Sequence, residues 1–306
     1  MRTPVMIGLT AIYAVCFVLI EAVSESAPAF AFAGLRTLIA GAALLTLVIV
    51  LRQPLFPPRK IWPWVLALAL TSTAGAYGAM FLSPGRAGAG IASVLGNLQP
   101  IFVVGLAALV LGERVTRLSW LTILLGTVGV LLIAAPALAG GDPYGLSGPA
   151  LALAASLGFA LGSVLVKRLN PSSGLLALAG WQLLIGSLPL LAISAVVERN
   201  AQIIWSRSFL AALLFLALAG TSLTTASWYW LVQREQLGRL TVFLYLVPVF
   251  GLALSLWIYD DRIGIAAGAG IGVVLIAVGV AAAEMWGAGI SRSSASTGAV
   301  EKVRNT

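Results

Sequence analysis

The run IWPWVLALALTSTAGAYGAMFL, residues 61–82, contains 22 residues and no charged side chain. A second run, LSWLTILLGTVGVLLIAA, occupies residues 118–135 and is also free of charge. The hydrocarbon core of a bilayer is about 30 Å thick, and a helix needs about 20 apolar residues to cross it. About ten such runs follow one another along the chain with only short connections. This pattern predicts an all-α polytopic membrane protein, because lipid offers no partner to unpaired backbone groups.

The predicted organisation consists of two repeats and a tail. The ten predicted spans are 4–23, 30–51, 61–82, 87–111, 117–135, 147–168, 173–196, 208–231, 237–258 and 263–285. The first five spans form a first repeat, residues 1–140, and the last five form a second repeat, residues 141–286. Residues 287–306 are rich in Ser, Thr and Gly with scattered charge, which predicts a disordered cytoplasmic tail.

The composition argues for the bilayer and against several other environments and activities. Apolar residues make up 60% of the chain and charged residues 9%, and the mean hydropathy is +1.04. The net charge is +8, but the basic residues lie singly or in pairs in short loops. Such loops are typical of topology determinants rather than of a nucleic-acid site. The chain has no histidine and no G-x4-G-K-[ST] loop, so we expect no enzyme, no ATP coupling, no cofactor and no metal site.

The N-terminal run is predicted to be the first membrane helix rather than a cleaved signal peptide. Glu21 and Glu25 interrupt the cleavage context that a signal peptide needs. With the N-terminus placed in the cytoplasm, 13 Lys and Arg residues fall on the cytoplasmic side and four on the outer side. The excess of positive charge therefore predicts that both termini are cytoplasmic. Cys16 is the one cysteine, so no disulfide can form within the chain.

The two halves of the chain resemble each other at a shift of 148 residues. Residues 66–114 and 214–262 share 13 identities in 49 positions, among them Pro100/Pro248. Five spans per half is an odd number, so the second half must enter the membrane in the opposite orientation. Inverted repeats are a signature of secondary transporters, which bind substrate near the midplane between the repeats.

Several motifs resemble the EamA-type members of the drug/metabolite transporter superfamily. LGER at 111–114 is similar to the end of that family's fourth helix, GLR at 34–36 to its second helix, and residues 272–280 to its closing helix. The second half departs from the pattern, with DDR at 260–262 where GER would stand. Within the superfamily, the chain most resembles the ten-helix aromatic amino acid exporters of the YddG type. The resemblance implies cytoplasmic termini, the bacterial inner membrane and secondary export of metabolites.

Pro100 and Pro248 fall near the middle of predicted helices at equivalent positions of the two repeats. A proline inside a helix removes one backbone hydrogen bond and bends the helix. The carbonyls of Gly96 and Leu244, four residues earlier, then become acceptors that a substrate ammonium group could use. We expect the two prolines to form part of the site or a shared hinge, and the alternative is a simple bend around neighbouring helices.

Depth in the membrane and shared helix faces select the other candidates. The predicted substrate-binding residues are Tyr13, Tyr77, Asn97, Gln99, Pro100, Ser156, Phe159, Ser163, Trp181, Tyr245 and Pro248. Polar groups at this depth usually face a cavity or another helix, and interhelical contact is the alternative for the two amides and for Trp181. Gly158 and Gly162 lie on another face of the sixth span, where GxxxG predicts close helix packing.

Three conspicuous features are predicted to be structural. Arg36 lies about six residues into the second span, and we expect it to reach the outer surface or to pair with Glu21 or Glu25 rather than to bind a substrate carboxylate. The Trp-Tyr-Trp run at 228–230 is typical of an interfacial aromatic belt. Lys167 is expected to extend to the inner interface.

These observations together favour a secondary transporter that exports small organic metabolites by alternating access. Amino acids are the best single substrate, and the preference for aromatic ones comes from the family resemblance. The alternatives are a passive channel and an exporter of other solutes, such as nucleosides or cationic drugs. The partners expected are a small-molecule substrate and the lipid bilayer. Proton coupling, exchange and facilitated diffusion, like the oligomeric state, are all left open by the sequence.

Overall fold

The structure is a computed structural model that describes residues 2–83, 86, 95–113, 115–139, 147–169, 174–259 and 264–283. We number the apolar helices α1 (Arg2–Ala22), α2 (Ala29–Val50), α3 (Arg59–Leu82), α4 (Gln99–Leu111), α5 (Arg117–Ala139), α6 (Ser147–Leu169), α7 (Leu175–Val197), α8 (Arg207–Val232), α9 (Leu237–Gly251, helical on to Tyr259) and α10 (Ile265–Ala283). The described residues contain no strand, so the all-α prediction is confirmed. The predicted tail, the start of the fourth span and the motif at 260–262 lie outside the described residues.

Seven of these helices are long and apolar enough to cross a membrane: α1, α2, α3, α6, α7, α8 and α10. Three shorter apolar helices, within α4, α5 and α9, accompany them in the described part of the chain. Large apolar side chains point outward from the bundle, including Leu109 at 85% exposure and Ile265 at 94%. Apolar exposure of this extent indicates that lipid, not water, surrounds the bundle.

Helices α2 and α7 form an antiparallel pair, and glycines bring their backbones together. A Cβ atom on Gly41 would lie 2.6 Å from the backbone nitrogen of Leu184, and one on Gly180 would lie 2.8 Å from a methyl carbon of Leu45. Glycine therefore provides the space that this approach requires.

The same pair shows the internal symmetry of the molecule. Gly34 lies against Leu191, and Gly180 lies against Leu45. Gly180 is the equivalent of Gly34 at a shift of 146 residues, and Leu191 is the equivalent of Leu45 at the same shift. The two contacts therefore join the same two positions, with the glycine in the first repeat in one case and in the second repeat in the other. Such an exchange is what a two-fold axis between inverted repeats produces, and it makes α2 of one repeat the equivalent of α7 of the other.

Helices α3 and α8 each contain a π-helical segment at equivalent positions. The segments are Ala69–Gly75 and Leu218–Leu223, which overlap at the shift of 148 found in the sequence. In a π-helix, backbone hydrogen bonds span five residues instead of four, and such segments are rare and often lie at functional sites. The hydroxyl of Thr221 donates to the carbonyl of Leu216, five residues earlier, at 2.9 Å.

Helices from the opposite repeat cover both π-helical segments closely. Gly158 and Gly162 of α6 pack on the segment of α3, where Ser72 donates to the carbonyl of Gly158 at 2.9 Å. The predicted GxxxG packing is therefore confirmed. On the other side, Cys16 of α1 lies against Gly220 of α8. In each contact one partner is a glycine, so the backbone of one helix can meet a side chain of the other.

Regular α-helix is interrupted shortly before both mid-helix prolines. Leu98 sits at φ −80° and ψ 0°, and α4 begins at Gln99 with Pro100 in its first turn. In the second repeat, Val242–Tyr245 forms a 3₁₀ turn three residues before Pro248. The α-helix is thus interrupted near both prolines, since proline lacks the N–H that would continue the α-helical hydrogen bonds.

Substituting Gly41 by alanine should destabilise the α2–α7 pair. The added Cβ would press on the backbone of Leu184, so overpacking should cost about 1–3 kcal/mol. A thermal melt of the purified protein in detergent measures this as a lower midpoint. Gly105→Ala is the matched control, because nothing lies within 4 Å of its Cβ position and its midpoint should be unchanged or higher. Equal melting of the two variants would contradict the packing described here.

Candidate functional site

A cavity of about 640 Å³ lies at the centre of the bundle. Helices of both repeats line it, and none of its described lining residues comes from α5 or α10. It extends from the level of the π-helical segments to the connection between α1 and α2, where Ser24 and Ala27 line it. Cavities of roughly 300–1,000 Å³ with mostly apolar walls are typical of small-molecule sites.

Eight of the eleven predicted site residues line this cavity. They are Tyr13, Tyr77, Asn97, Gln99, Pro100, Ser156, Phe159 and Ser163. The rings of Tyr77 and Phe159 meet edge to face, with their centroids 5.3 Å apart. The structure thus brings residues of α1, α3, α4 and α6, and Asn97 just before α4, together around one cavity.

Three predicted site residues lie elsewhere. Trp181 donates from its indole nitrogen to the carbonyl of Leu55 at 2.9 Å and stacks on Phe56, outside the cavity. Tyr245 is fully buried, with its hydroxyl 2.7 Å from that of Thr127. Pro248 is also absent from the lining. For Tyr245 and Pro248, the direction of the side chain depends on the 3₁₀ turn, which presents Leu244 and Val247 to the cavity instead. Trp181 lies against the α2–α3 connection at one end of the bundle.

The carbonyl of Gly96 is exposed by Pro100, and a side chain of the other repeat binds it. Ser156 of α6 lies 2.7 Å from the carbonyl oxygens of both Leu95 and Gly96. Pro100 has no N–H to satisfy the Gly96 carbonyl in helical fashion, so the serine hydroxyl supplies a donor. This contact ties the broken helix of the first repeat to α6 of the second.

Arg36 lies inside the protein, so the prediction that it reaches the outer surface is wrong. The side chain of Glu21, one of its two predicted partners, lies outside the described part of the structure, and Glu25, the other, is exposed. Arg36 is only 3% exposed and lines the cavity. Its Nε donates to the hydroxyl of Thr221 at 2.7 Å, and its Nη2 donates to the carbonyl of Gly220 at 3.1 Å. The guanidinium carbon lies 5.5 Å from the centre of the Tyr77 ring.

Gln182 makes the equivalent contact, with the donor in the second repeat and the acceptor in the first. It occupies the position of Arg36 moved by 146 residues, and its Nε2 donates to the hydroxyl of Thr73 at 3.1 Å. Thr73 in turn is the counterpart of Thr221. The structure therefore contains two crossed clamps, Arg36–Thr221 and Gln182–Thr73, each joining one repeat to the π-helical segment of the other. Position 36 carries a charge, and position 182 carries a neutral amide.

Two of the three aromatic residues at 228–230 face inward, so the prediction of an interfacial belt is wrong for them. Trp228 donates from its indole nitrogen to the hydroxyl of Ser163 at 2.9 Å, and the hydroxyl of Tyr229 donates to the Gln182 side chain. Both residues are buried and line the cavity. Trp230 is 39% exposed and has the Arg234 guanidinium 4.4 Å from its ring centre, as a belt residue would.

Polar contacts close the end of the bundle opposite to the α1–α2 connection. Lys167, which was predicted to extend to the inner interface, lies in the last turn of α6 and forms an ion pair with Glu113 at 2.8 Å. The other carboxylate oxygen of Glu113 accepts from the backbone N–H of Leu237 at 3.1 Å. Gln233 donates to the carbonyl of Val166 at 2.6 Å. These bonds join α4, α6, α8 and α9 beyond the end of the cavity.

Long apolar helices around a solute-sized internal cavity define a membrane transport protein. The sequence pattern of the EamA-like transporter family matches residues 4–135 and 146–283. The chain therefore belongs to the EamA-like transporter family, and it is a multi-pass membrane protein.

Individual relatives carry transporter names. A probable amino-acid metabolite efflux pump of Salmonella typhimurium is 30% identical over 247 residues, which cover 78% of this chain and 80% of that protein. The protein of the same description from Escherichia coli is 27% identical and covers 81% and 83%. An uncharacterised transporter of Synechocystis is 28% identical over 90% of both chains. A solved crystal structure shares the fold, with a TM-score of 0.78 at 20% identity over 92% of this chain and 98% of that one.

Replacing Thr221 by valine should destabilise the protein through Arg36. Valine preserves the shape of threonine but removes the hydroxyl that accepts from Nε, leaving a buried charged donor unpaired at a cost of about 1–3 kcal/mol. The loss should appear as a lower melting midpoint in detergent. Thr46→Val serves as the control, since Thr46 is exposed and bonds only within its own helix. Identical midpoints for the two variants would show that the clamp adds nothing to stability.

Proposed function

We propose that this protein is a secondary transporter that exports small organic metabolites across the bacterial inner membrane, with amino acids, aromatic ones included, as its substrates. Ten membrane-spanning helices would form two inverted repeats with both termini in the cytoplasm. The observation that carries the proposal is the cavity of about 640 Å³ enclosed between the two repeats.

The chemistry of the cavity suits an amphipathic zwitterion. Aromatic side chains on its walls, such as Phe32, Phe159 and Trp228, offer surfaces for an apolar or aromatic side chain. Amide and hydroxyl groups of Asn97 and Tyr13 offer hydrogen bonds to the charged end of the solute. A few polar groups on a mainly apolar wall are what orients a small ligand.

The difference between the two ends of the cavity supports alternating access. One end reaches the α1–α2 connection, whereas the contacts around Glu113 and Lys167 close the other end. With the topology proposed here, this conformation faces the outside and is closed to the cytoplasm. In inverted repeats, exchanging the conformations of the two halves yields the state that faces the other way. The broken helices at Pro100 and Pro248 are the expected hinges.

The names of relatives support export of amino acids, since two of them are described as probable amino-acid metabolite efflux pumps. The resemblance to exporters of the YddG type extends the proposal to aromatic substrates. An open channel is disfavoured because the cavity ends at a layer of polar contacts. Cationic drugs are disfavoured because the one formal charge among the described lining residues, that of Arg36, is positive.

Counterflow with the purified protein in liposomes tests the proposal. Vesicles loaded with unlabelled L-phenylalanine should accumulate external labelled L-phenylalanine transiently, and vesicles loaded with a nucleoside or a cationic drug should not. Uptake that never saturates with concentration would indicate a channel. Accumulation driven by the nucleoside or the drug instead of by any amino acid would overturn the proposed substrate class.

Phe159→Ala should weaken this transport by about tenfold, because losing the ring removes contact area worth roughly 1–2 kcal/mol of binding. The measurement is the concentration of L-phenylalanine that half-saturates counterflow. Phe215→Ala is the matched control, since Phe215 of α8 is 37% exposed on the outside of the bundle and does not line the cavity. A similar loss in both variants would mean that the ring of Phe159 has no specific role in the site.

A further inference from the structure

The guanidinium of Arg36 is only partly satisfied by the protein. Its Nε and Nη2 bind Thr221 and Gly220, whereas Nη1, which carries two of the five N–H groups, has no hydrogen-bond partner although it is buried. The residue is only 3% exposed, and it lines the cavity. Buried polar groups are almost always hydrogen-bonded, so an unpartnered edge of an arginine at a cavity needs an explanation.

The clamp to the neighbouring repeat does not explain the charge. At the symmetry-related position, Gln182 makes the same type of contact to Thr73 with a neutral amide. A glutamine would therefore be sufficient to hold Thr221 in the other clamp. The positive charge and the free Nη1 are additional to the structural role of position 36.

Keeping that charge in the membrane interior is costly. An arginine near the centre of a bilayer-spanning helix is disfavoured by about 2.5–3.5 kcal/mol or more, and such residues usually find a partner or a functional use. Among the side chains that the structure describes, no carboxylate forms an ion pair with Arg36. Arg36 is also the sole formally charged residue among the described residues that line the cavity. The hydrogen-bond partner that Nη1 lacks is therefore expected to come from the solute.

We infer that the Nη1 edge of Arg36 binds the carboxylate of the transported solute, and that the solutes are monocarboxylates with an apolar body. This inference rests on the proposed function and narrows its substrates. A guanidinium edge binds a carboxylate through charge-assisted hydrogen bonds, which are stronger than neutral ones. The rings of Tyr77 and Phe159 lie beside this point and receive the apolar body. One cation matches a single carboxylate, whereas a doubly charged phosphate would remain half-neutralised.

The first test uses the unaltered protein and a matched pair of probes. L-phenylalanine and L-phenylalaninamide share the ring and the amino group and differ in the carboxylate. Inhibition of labelled L-phenylalanine counterflow in liposomes measures the affinity of each. The amide should be at least tenfold weaker than the acid, because its neutral carbonyl is a weaker acceptor for the guanidinium than a charged carboxylate.

The second test locates the discrimination at Arg36. Arg36→Gln should remain folded, since glutamine holds the equivalent clamp, but it should lose most of the preference for the acid over the amide. Arg36→Lys keeps the charge and should retain part of the preference. Arg207→Gln removes an exposed arginine outside the cavity and should leave the preference unchanged. Melting midpoints of all variants show whether each is folded.

The outcomes separate this inference from the proposed function. Preference for the acid that disappears in Arg36→Gln and persists in Arg207→Gln supports a carboxylate site at Arg36. Equal inhibition by acid and amide in the unaltered protein, or a preference that survives in Arg36→Gln, overturns the inference while transport of the amino acid leaves the proposed function intact. Absence of counterflow with L-phenylalanine, L-tryptophan and L-leucine alike overturns the proposed function and this inference with it.

Discussion

The structure depends on two crossed clamps in which each repeat holds the π-helical segment of the other. Arg36 of α2 binds Thr221 of α8, and Gln182 of α7 binds Thr73 of α3. Both donors lie on the α2–α7 pair, whose backbones meet through glycines, so the pair is a common support for the two clamps. Each threonine accepts its side-chain hydrogen bond from the other half, so the clamps join the two repeats. The cavity lies between the clamps, and its shape is therefore set by contacts between repeats.

The two-fold relation between the repeats is broken where the chemistry differs. Arginine stands at one donor position and glutamine at the other, so the clamps are alike in hydrogen bonding and unlike in charge. The hydroxyl of Tyr229 donates to the amide oxygen of Gln182, whereas Nη1 of Arg36 has no hydrogen-bond partner. The internal duplication thus provides its own comparison: what both copies share is structural, and what one copy alone has is the better candidate for function.

Much of this architecture is readable in the sequence. Apolar runs gave the helices, the shift of 148 residues related the two halves, and depth in the membrane selected eight residues that line the cavity. Depth in the membrane was insufficient to predict which way a side chain points where the local backbone geometry departs from a regular α-helix. The 3₁₀ turn at Val242–Tyr245 turns Tyr245 away from the cavity, and the π-helical segment in α8 precedes Trp228 and Tyr229, which face inward. Arg36 was predicted to reach the surface because it lies close to the end of its helix. Its hydrogen-bond partner Thr221 on α8 is 185 residues away in sequence, so the sequence did not reveal it.

We propose that the two repeats cross the membrane in opposite orientations. Gln53 in the α2–α3 connection and Asn200 in the α7–α8 connection are both exposed and occupy corresponding places in the two repeats. Single cysteines introduced by Gln53→Cys and Asn200→Cys in a Cys16→Ala background can be labelled with a membrane-impermeant maleimide in intact cells. The account predicts that the cysteine at position 200 reacts and that the one at position 53 reacts only after the membrane is permeabilised. Labelling of both positions from the same side would contradict it.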